Sequence, residues 1–393
     1  MAALAVFLVV ALAAGTAWAG WSSSASGAGR VSSQTVPQGS TPVAFVAVRD
    51  VTVSWSAVQL SGGTPVAGYR LARYPASGTT AESLTSCSGV LAGLSCTETA
   101  VPVGSWRYTV TPVHGSWTGT ASAYSNTVTV MAPPVLSALE MFDVNGNGKV
   151  DRVVATFDNA LAAYTAGTTP WTLANVPSGG SLSSVSVSGA AATLTLAEGA
   201  GAADTAVGSF TVALAADANG IRDAAGNLSS FAATAPADVA GIAPVALSSA
   251  GGTGTTPGRL QAGDKLSVTF SEAVAAGVTL PGTVTLTMAD PSTLPSDQLT
   301  VPSLFNGARS TGSDGYLGRN NSSVSFAGST FTLSADRKTL TVTVGPTCAG
   351  GSCNRLRTVT TAAPVSVLLD PALLDAAGNA PTTTARNITA ILF

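Results

Sequence analysis

The pentapeptide VTVSW, residues 51–55, sets Val51, Val53 and Trp55 on one side of the chain and Thr52 and Ser54 on the other. Successive side chains of an extended chain point to opposite faces, so this period of two predicts an antiparallel strand buried on one side. The alternation returns in RYTVT (107–111), VVATF (153–157), TLTL (193–196), LSVTF (266–270) and LTVTV (340–344). Gly, Pro, Asn and Ser separate the runs, and no helix-length amphipathic pattern follows the leader. The fold class expected is all-β, a series of stacked sandwiches. Trp55, Tyr69, Tyr108, Phe157 and Phe270 are the expected core aromatics.

The sequence has 393 residues, enough for about two to four domains with separate cores. Proline interrupts the strand pattern at Pro133-Pro134 and at Pro244, which divides the chain into units at 36–131, 133–239 and 243–393. The second and third units share landmarks in the same order: a strand ending in Thr-Phe, at Phe157 and Phe270, and a later DAAGN tag, at 223–227 and 375–379. That order argues for an internal duplication.

Only 9% of residues are charged, against about 25% in an average protein, and the formal charge is −3. Nucleic acid is therefore not an expected partner, because its binders gather Lys and Arg on one face. The mean hydropathy of +0.38 reflects Ala and Val interleaved with Ser and Thr, and no internal run is long enough to span a bilayer.

Residues 1–19 carry an apolar run followed by Ala17-Trp18-Ala19, which fits a signal peptide cleaved after Ala19 or an uncleaved anchor helix. Residues 20–35 are Ser- and Gly-rich, as in a flexible linker. An exported chain permits disulfides, and the close pairs Cys87 with Cys96 and Cys348 with Cys353 would each pin a loop; the other reading is four free thiols. Secretion or the cell surface is the expected location, with the membrane touched only through the N-terminal helix if it stays uncleaved.

DVNGNGKVD, residues 143–151, places Asp143, Asn145, Asn147 and Asp151 at alternate positions, with the Lys149 carbonyl where an EF-type loop supplies a main-chain oxygen. Calcium takes about six to eight hard oxygen ligands, and such a loop can gather them. Val154 stands where the twelfth-position glutamate belongs, so a structural calcium site needs a carboxylate from elsewhere, Asp223 or Asp217. The alternative is an Asx-rich turn holding no metal.

The third unit carries extra residues at 302–323 and at the cysteine-bracketed turn 347–354. Phe305, Arg309, Tyr316 and Arg319 are candidate contacts for a glycan or peptide; the plainer reading is a loop covering a sheet edge. A single histidine, His114, excludes multi-histidine zinc sites, and neither a GxSxG elbow nor a Walker motif occurs. A hydrolase with paired carboxylates about 5 to 9.5 Å apart is the weakest alternative, and no catalytic residue is assigned.

The first unit resembles a fibronectin type III domain: VTVSWSA carries the B-strand Trp55, PVAGYRLARYPA the C-strand Tyr69, and WRYTVTPVHG with SAYSNTVTV the F and G strands. The resemblance implies a tyrosine corner at Tyr108, its hydroxyl bonded to nearby backbone. SCSGVLAGLSC departs from that pattern. The second and third units are similar to bacterial Ig-like repeats of surface proteins, in which TFSE or TFD strands and DAAGN segments recur. The resemblances imply tandem immunoglobulin-like β-sandwiches in a non-catalytic cell-envelope protein, an adhesive or a structural spacer. Its partners would be cell-envelope components, surface glycan or protein. A glycan-binding module is the alternative.

Overall fold

The computed structural model describes residues 34–318 and 321–393; the leader and most of the linker lie outside them. Two single-turn 3-10 segments, Pro177–Gly179 and Cys353–Arg355, are the only helical elements among the described residues, and none could cross a membrane. The architecture is all-β, a tandem of Ig/FnIII-like sandwiches. Hydrophobic side chains form three separate cores, centred on Trp55 and Tyr108, on Phe157 and Phe210, and on Phe270 and Phe326.

In the first unit, Asp50–Ser54 runs between Val43–Ala47 and Ser95–Glu98, all antiparallel. The facing sheet joins Gly68–Pro75 to Gly104–His114, with Trp117–Thr118 and Val128–Val130 on the latter. Val51, Val53 and Trp55 point inward as their spacing requires, and the Trp55 and Tyr69 rings meet edge-on at 5.5 Å. The Tyr108 hydroxyl departs from expectation. It donates to Glu98 Oε2 at 2.8 Å instead of to backbone. Glu98 is fully buried and also takes Arg73 Nη1 at 2.6 Å and the Thr85 amide at 2.8 Å. A carboxylate removed from water needs every donor within reach, and the phenol supplies one. Burial, and then the hydrogen bond to Glu98, push the Tyr108 phenol well above its ordinary pKa. Cys87 is bonded to Cys96, which ties a loop onto the strand beside Asp50–Ser54.

The second unit packs a five-stranded sheet against a three-stranded one. The order in the larger is Ser181–Ser188, Ala191–Ala197, Arg152–Phe157, Leu136–Phe142, Ala237–Asp238. Its last member runs parallel to Leu136–Phe142, so the chain leaves the second unit along that sheet's edge. The smaller sheet holds Trp171–Ala174, Thr211–Leu214 and Phe231–Thr234, and Phe231 touches the Trp171 ring at 5.9 Å.

In the third unit one twelve-residue strand, Ser322–Leu333, serves two neighbours. Its first half pairs with Val284–Asp290 and its second with Thr339–Thr343, a strand changing partners at a sandwich corner. Cys348 is bonded to Cys353 beside it, and Thr347–Ala349 adds to the first half. Ala363–Val367 and Arg386–Ala390 pair separately.

The two aromatics of residues 302–318 do not face solvent. Phe305 is 2% exposed and Tyr316 1% exposed, both within the third core. The Tyr316 hydroxyl accepts the Leu392 amide at 2.9 Å and its ring stands edge-on to Phe393 at 6.4 Å. Burial pushes that phenol up to about 12. Arg309 is half-buried and donates to the Ala308 carbonyl, and Arg319 lies outside the described residues.

Candidate functional site

The acid-amide loop closes on itself. Asp143 accepts the Asn147 amide at 3.1 Å and the Gly148 amide at 2.7 Å. Asn145 Oδ1 takes the Asn147 amide, and Asn147 Oδ1 the Lys149 amide, each at 2.9 Å. Asp151 accepts the amides of Val144 and Asn145. Burial raises the pKa of Asp143, against the pull of the Gly148 and Asn147 amides.

The acid that meets the loop is Glu198. Its carboxylate accepts the side-chain amides of Asn145 and Asn147, each at 2.7 Å to Oε1. Asp223 is committed to its own turn, accepting the Ala225 and Asn227 amides at 2.9 Å and Asn227 Nδ2 at 2.8 Å. Asp217 accepts the Asn219 amide in a turn of its own. The sequence reading missed Glu198, although strand register contains it. Thr195 pairs with Arg152, and the Leu196 amide donates to the Asp151 carbonyl, so the end of Ala191–Ala197 must emerge beside the loop. The side-chain oxygens that a cation would want already accept amides, and the two asparagines turn their NH₂ groups toward Glu198.

The outer side of the loop faces the third unit. Arg386 Nη1 donates to the Asn147 carbonyl at 2.8 Å and to the Pro244 carbonyl at 2.7 Å. A Cβ on Gly146 would stand 2.5 Å from Thr382 Oγ1, and one on Gly148 2.7 Å from Val245 Cγ1. Both glycines also hold positive φ, so they serve the turn and the close approach together.

Beside this contact lies a set of acids. Asp238 ends the second unit's sheet, Glu272 follows Lys265–Phe270, and Asp375 begins the third unit's DAAGN tag. Among the described residues they form the one group of three acids whose carboxylate oxygens lie within 4.8 Å of one another. Glu272 and Asp375 are buried. Thr205, from the second unit, donates to Glu272 Oε1 at 2.6 Å and shares a hydrogen bond with Ser271 at 2.8 Å. Burial, with the neighbouring Asp238 and Asp375 adding to it, raises Glu272 to about 8; burial raises Asp238 to about 6.

The two DAAGN tags fold alike. In each the aspartate accepts the amide and the side-chain NH₂ of the asparagine four residues on, at 2.9 and 2.8 Å in the second unit and 2.7 and 2.9 Å in the third. Each tag also touches the preceding unit. The Val48 amide donates to the Ala225 carbonyl at 3.0 Å, and Asn379 Nδ2 to the Asp238 carbonyl at 3.1 Å. The repeat was visible in sequence; its position at the junctions was not.

No known protein family's profile matches this chain, and no curated protein does. Solved structures share general features at low similarity. The chicken CNTN1 FN1-FN3 domains are 10% identical with a TM-score of 0.28, covering 90% of this chain and 99% of that one. Domains 4-9 of the surface layer protein SbsC are 13% identical with a TM-score of 0.19, covering 93% of this chain and 48% of that one. Titin kinase with its flanking domains is 10% identical at 0.22, covering 41% of this chain and 37% of that one.

Proposed function

We propose that this chain is an exported, non-catalytic protein of the cell envelope that acts as a structural spacer or adhesive arm, its second and third units moving as one body. The observation that carries the reading is the junction between those units. Arg386 holds the Asn147 carbonyl across the junction and the Pro244 carbonyl on its own side, and Thr205 is bonded to Glu272 and Asn379 to Asp238. Domains on a plain tether move relative to one another by default, so a contact this specific supports a part whose geometry matters. Both cysteine pairs are bonded, which favours an oxidising compartment and supports export. The partners in this reading are a surface glycan or protein of the envelope.

The glycan-binding alternative is weakened because Phe305 and Tyr316 fill the core. NMR relaxation on the exported chain tests the spacer reading. One shared rotational correlation time for the second and third units is expected, and independent tumbling of the two would remove it.

A further inference from the structure

Carboxylate oxygens of Asp238 and Glu272 lie within 4.8 Å of each other, and Glu272 is buried. Two carboxyl groups this close can bond to each other only when one of them holds a proton, since an ionised carboxylate is an acceptor alone. The pair sits where two units meet, with Asp375 inside the same 4.8 Å group. The charged groups around it do not supply the missing positive charge. Lys338 Nζ lies 3.5 Å from Asp204 Oδ1 and donates to the Ser271 carbonyl at 3.3 Å. Arg337 donates to the carbonyls of Val274 and Ala275, and Arg386 to those of Asn147 and Pro244. Asp204 adds another negative charge. Among the described residues, none of the three acids has an ion-pair partner.

We propose that the junction of the second and third units is a proton-dependent lock, closed while Asp238 and Glu272 share a proton and loosened when that proton leaves to solvent. The lock rests on the spacer reading and adds to it a condition under which the arm becomes pliable. The sign follows from the raised pKa values. Glu272 is raised from 4.5 to about 8 and Asp238 from 3.8 to about 6, so the folded junction holds protons that the separated groups release. The stabilisation is complete below the ordinary carboxylate range and is lost as pH rises toward about 8. With all three acids ionised, like charges face one another with little water between them.

Hydrogen exchange on the full chain tests the lock at amides that flank the junction, beside Glu272 and the connection between the units: Ala243 on Ser271 Oγ, Ser271 on the Ala243 carbonyl, and Thr382 on the Ile242 carbonyl. After correction for the intrinsic chemical rate, exchange at these amides is expected to be about tenfold faster or more at pH 9 than at pH 5, as a pKa displaced by one unit or more requires. Glu272→Gln keeps an acceptor for Thr205 and donates to Asp238 without a titrating proton, so its protection stays level across that range. Asp238→Asn does the same from the other side and covers the case where the first variant folds poorly. High protection that is level in the unmodified protein overturns the lock and leaves the spacer reading intact, whereas low protection at every pH removes both. Protection restored at pH 9 by millimolar calcium in the unmodified protein, and not in Glu272→Gln, overturns the proton in favour of a cation.

Discussion

The first junction and the second use the same closed turn and reach different results. Between the first and second units a single hydrogen bond among the described residues crosses, from the Val48 amide to the Ala225 carbonyl of the tag. Between the second and third, the tag's asparagine is joined by Thr205 and Arg386, with a group of acids close beside them. The tags are interchangeable as shapes, so the coupling comes from what surrounds them. At the residue after Phe157 the second unit has Asp158, half the unit's answer to Ser271-Glu272, and it folds back to accept the Val135 amide at 2.8 Å. Glu272 reaches across instead. A repeated motif marks where units meet, and its neighbours decide how firmly.

The comparison breaks most visibly at Gly241, between the second and third units. A Cβ there would fall 1.9 Å from the Ala380 carbonyl oxygen, a backbone atom that cannot swing aside. Gly241→Val should destabilise that junction by about 3 kcal/mol or more, read by calorimetry as an early transition that leaves the first unit unchanged. Removing Arg386 sharpens the contrast in a gentler way. Arg386→Met keeps the apolar stem and gives up two charge-assisted bonds to carbonyls, a loss of about 2 kcal/mol. Separate tumbling of the second and third units should follow, and unaltered relaxation would show that the arginine is incidental.

The acid-amide loop itself is tested by Asp143→Ala, which frees the Asn147 and Gly148 amides and should cost about 1 to 2 kcal/mol. The same drop in melting temperature is expected with calcium and with chelator. A loss seen only when calcium is present would make the loop a metal site. The smallest effect belongs to the first junction. Val48 holds a φ of +57°, which a β-branched residue adopts at a cost, and Asn tolerates it. Val48→Asn should raise the first unit's stability by about 1 kcal/mol while leaving the second junction as it was, and a matching change at both junctions would contradict their independence.

Strand positions were legible because a half-buried strand writes its burial into alternate letters. VTVSW, VVATF and LSVTF lie in or run into strands, and their aromatic ends, Trp55, Phe157 and Phe270, are core. Phe305 and Tyr316, within residues 302–318, were misread for a physical reason. Gly and Ser dominate the segment, which hides that Phe305 and Tyr316 fill space against Leu369 and Leu392, some seventy positions onward. Local composition reports local preference, whereas a core contact of that range depends on topology. Glu98 eluded the reading likewise, since nothing near it announces that Arg73 and Tyr108 converge on its carboxylate. At the loop the side chains were legible and their donor was not; Glu198 follows only once the pairing of Ala191–Ala197 with Arg152–Phe157 is known. The junction acids stood in plain view within TFSE and DAAGN, but their meeting depends on how two units dock.

The shared strand Ser322–Leu333 bears on how the third unit comes apart. Because one continuous backbone is stitched to Val284–Asp290 at one end and to Thr339–Thr343 at the other, neither half can peel away without dragging on its counterpart. Unfolding of this unit, by heat or by mechanical pulling, should therefore proceed as one cooperative rupture, with the slowest-exchanging amides along both halves belonging to a single protection class.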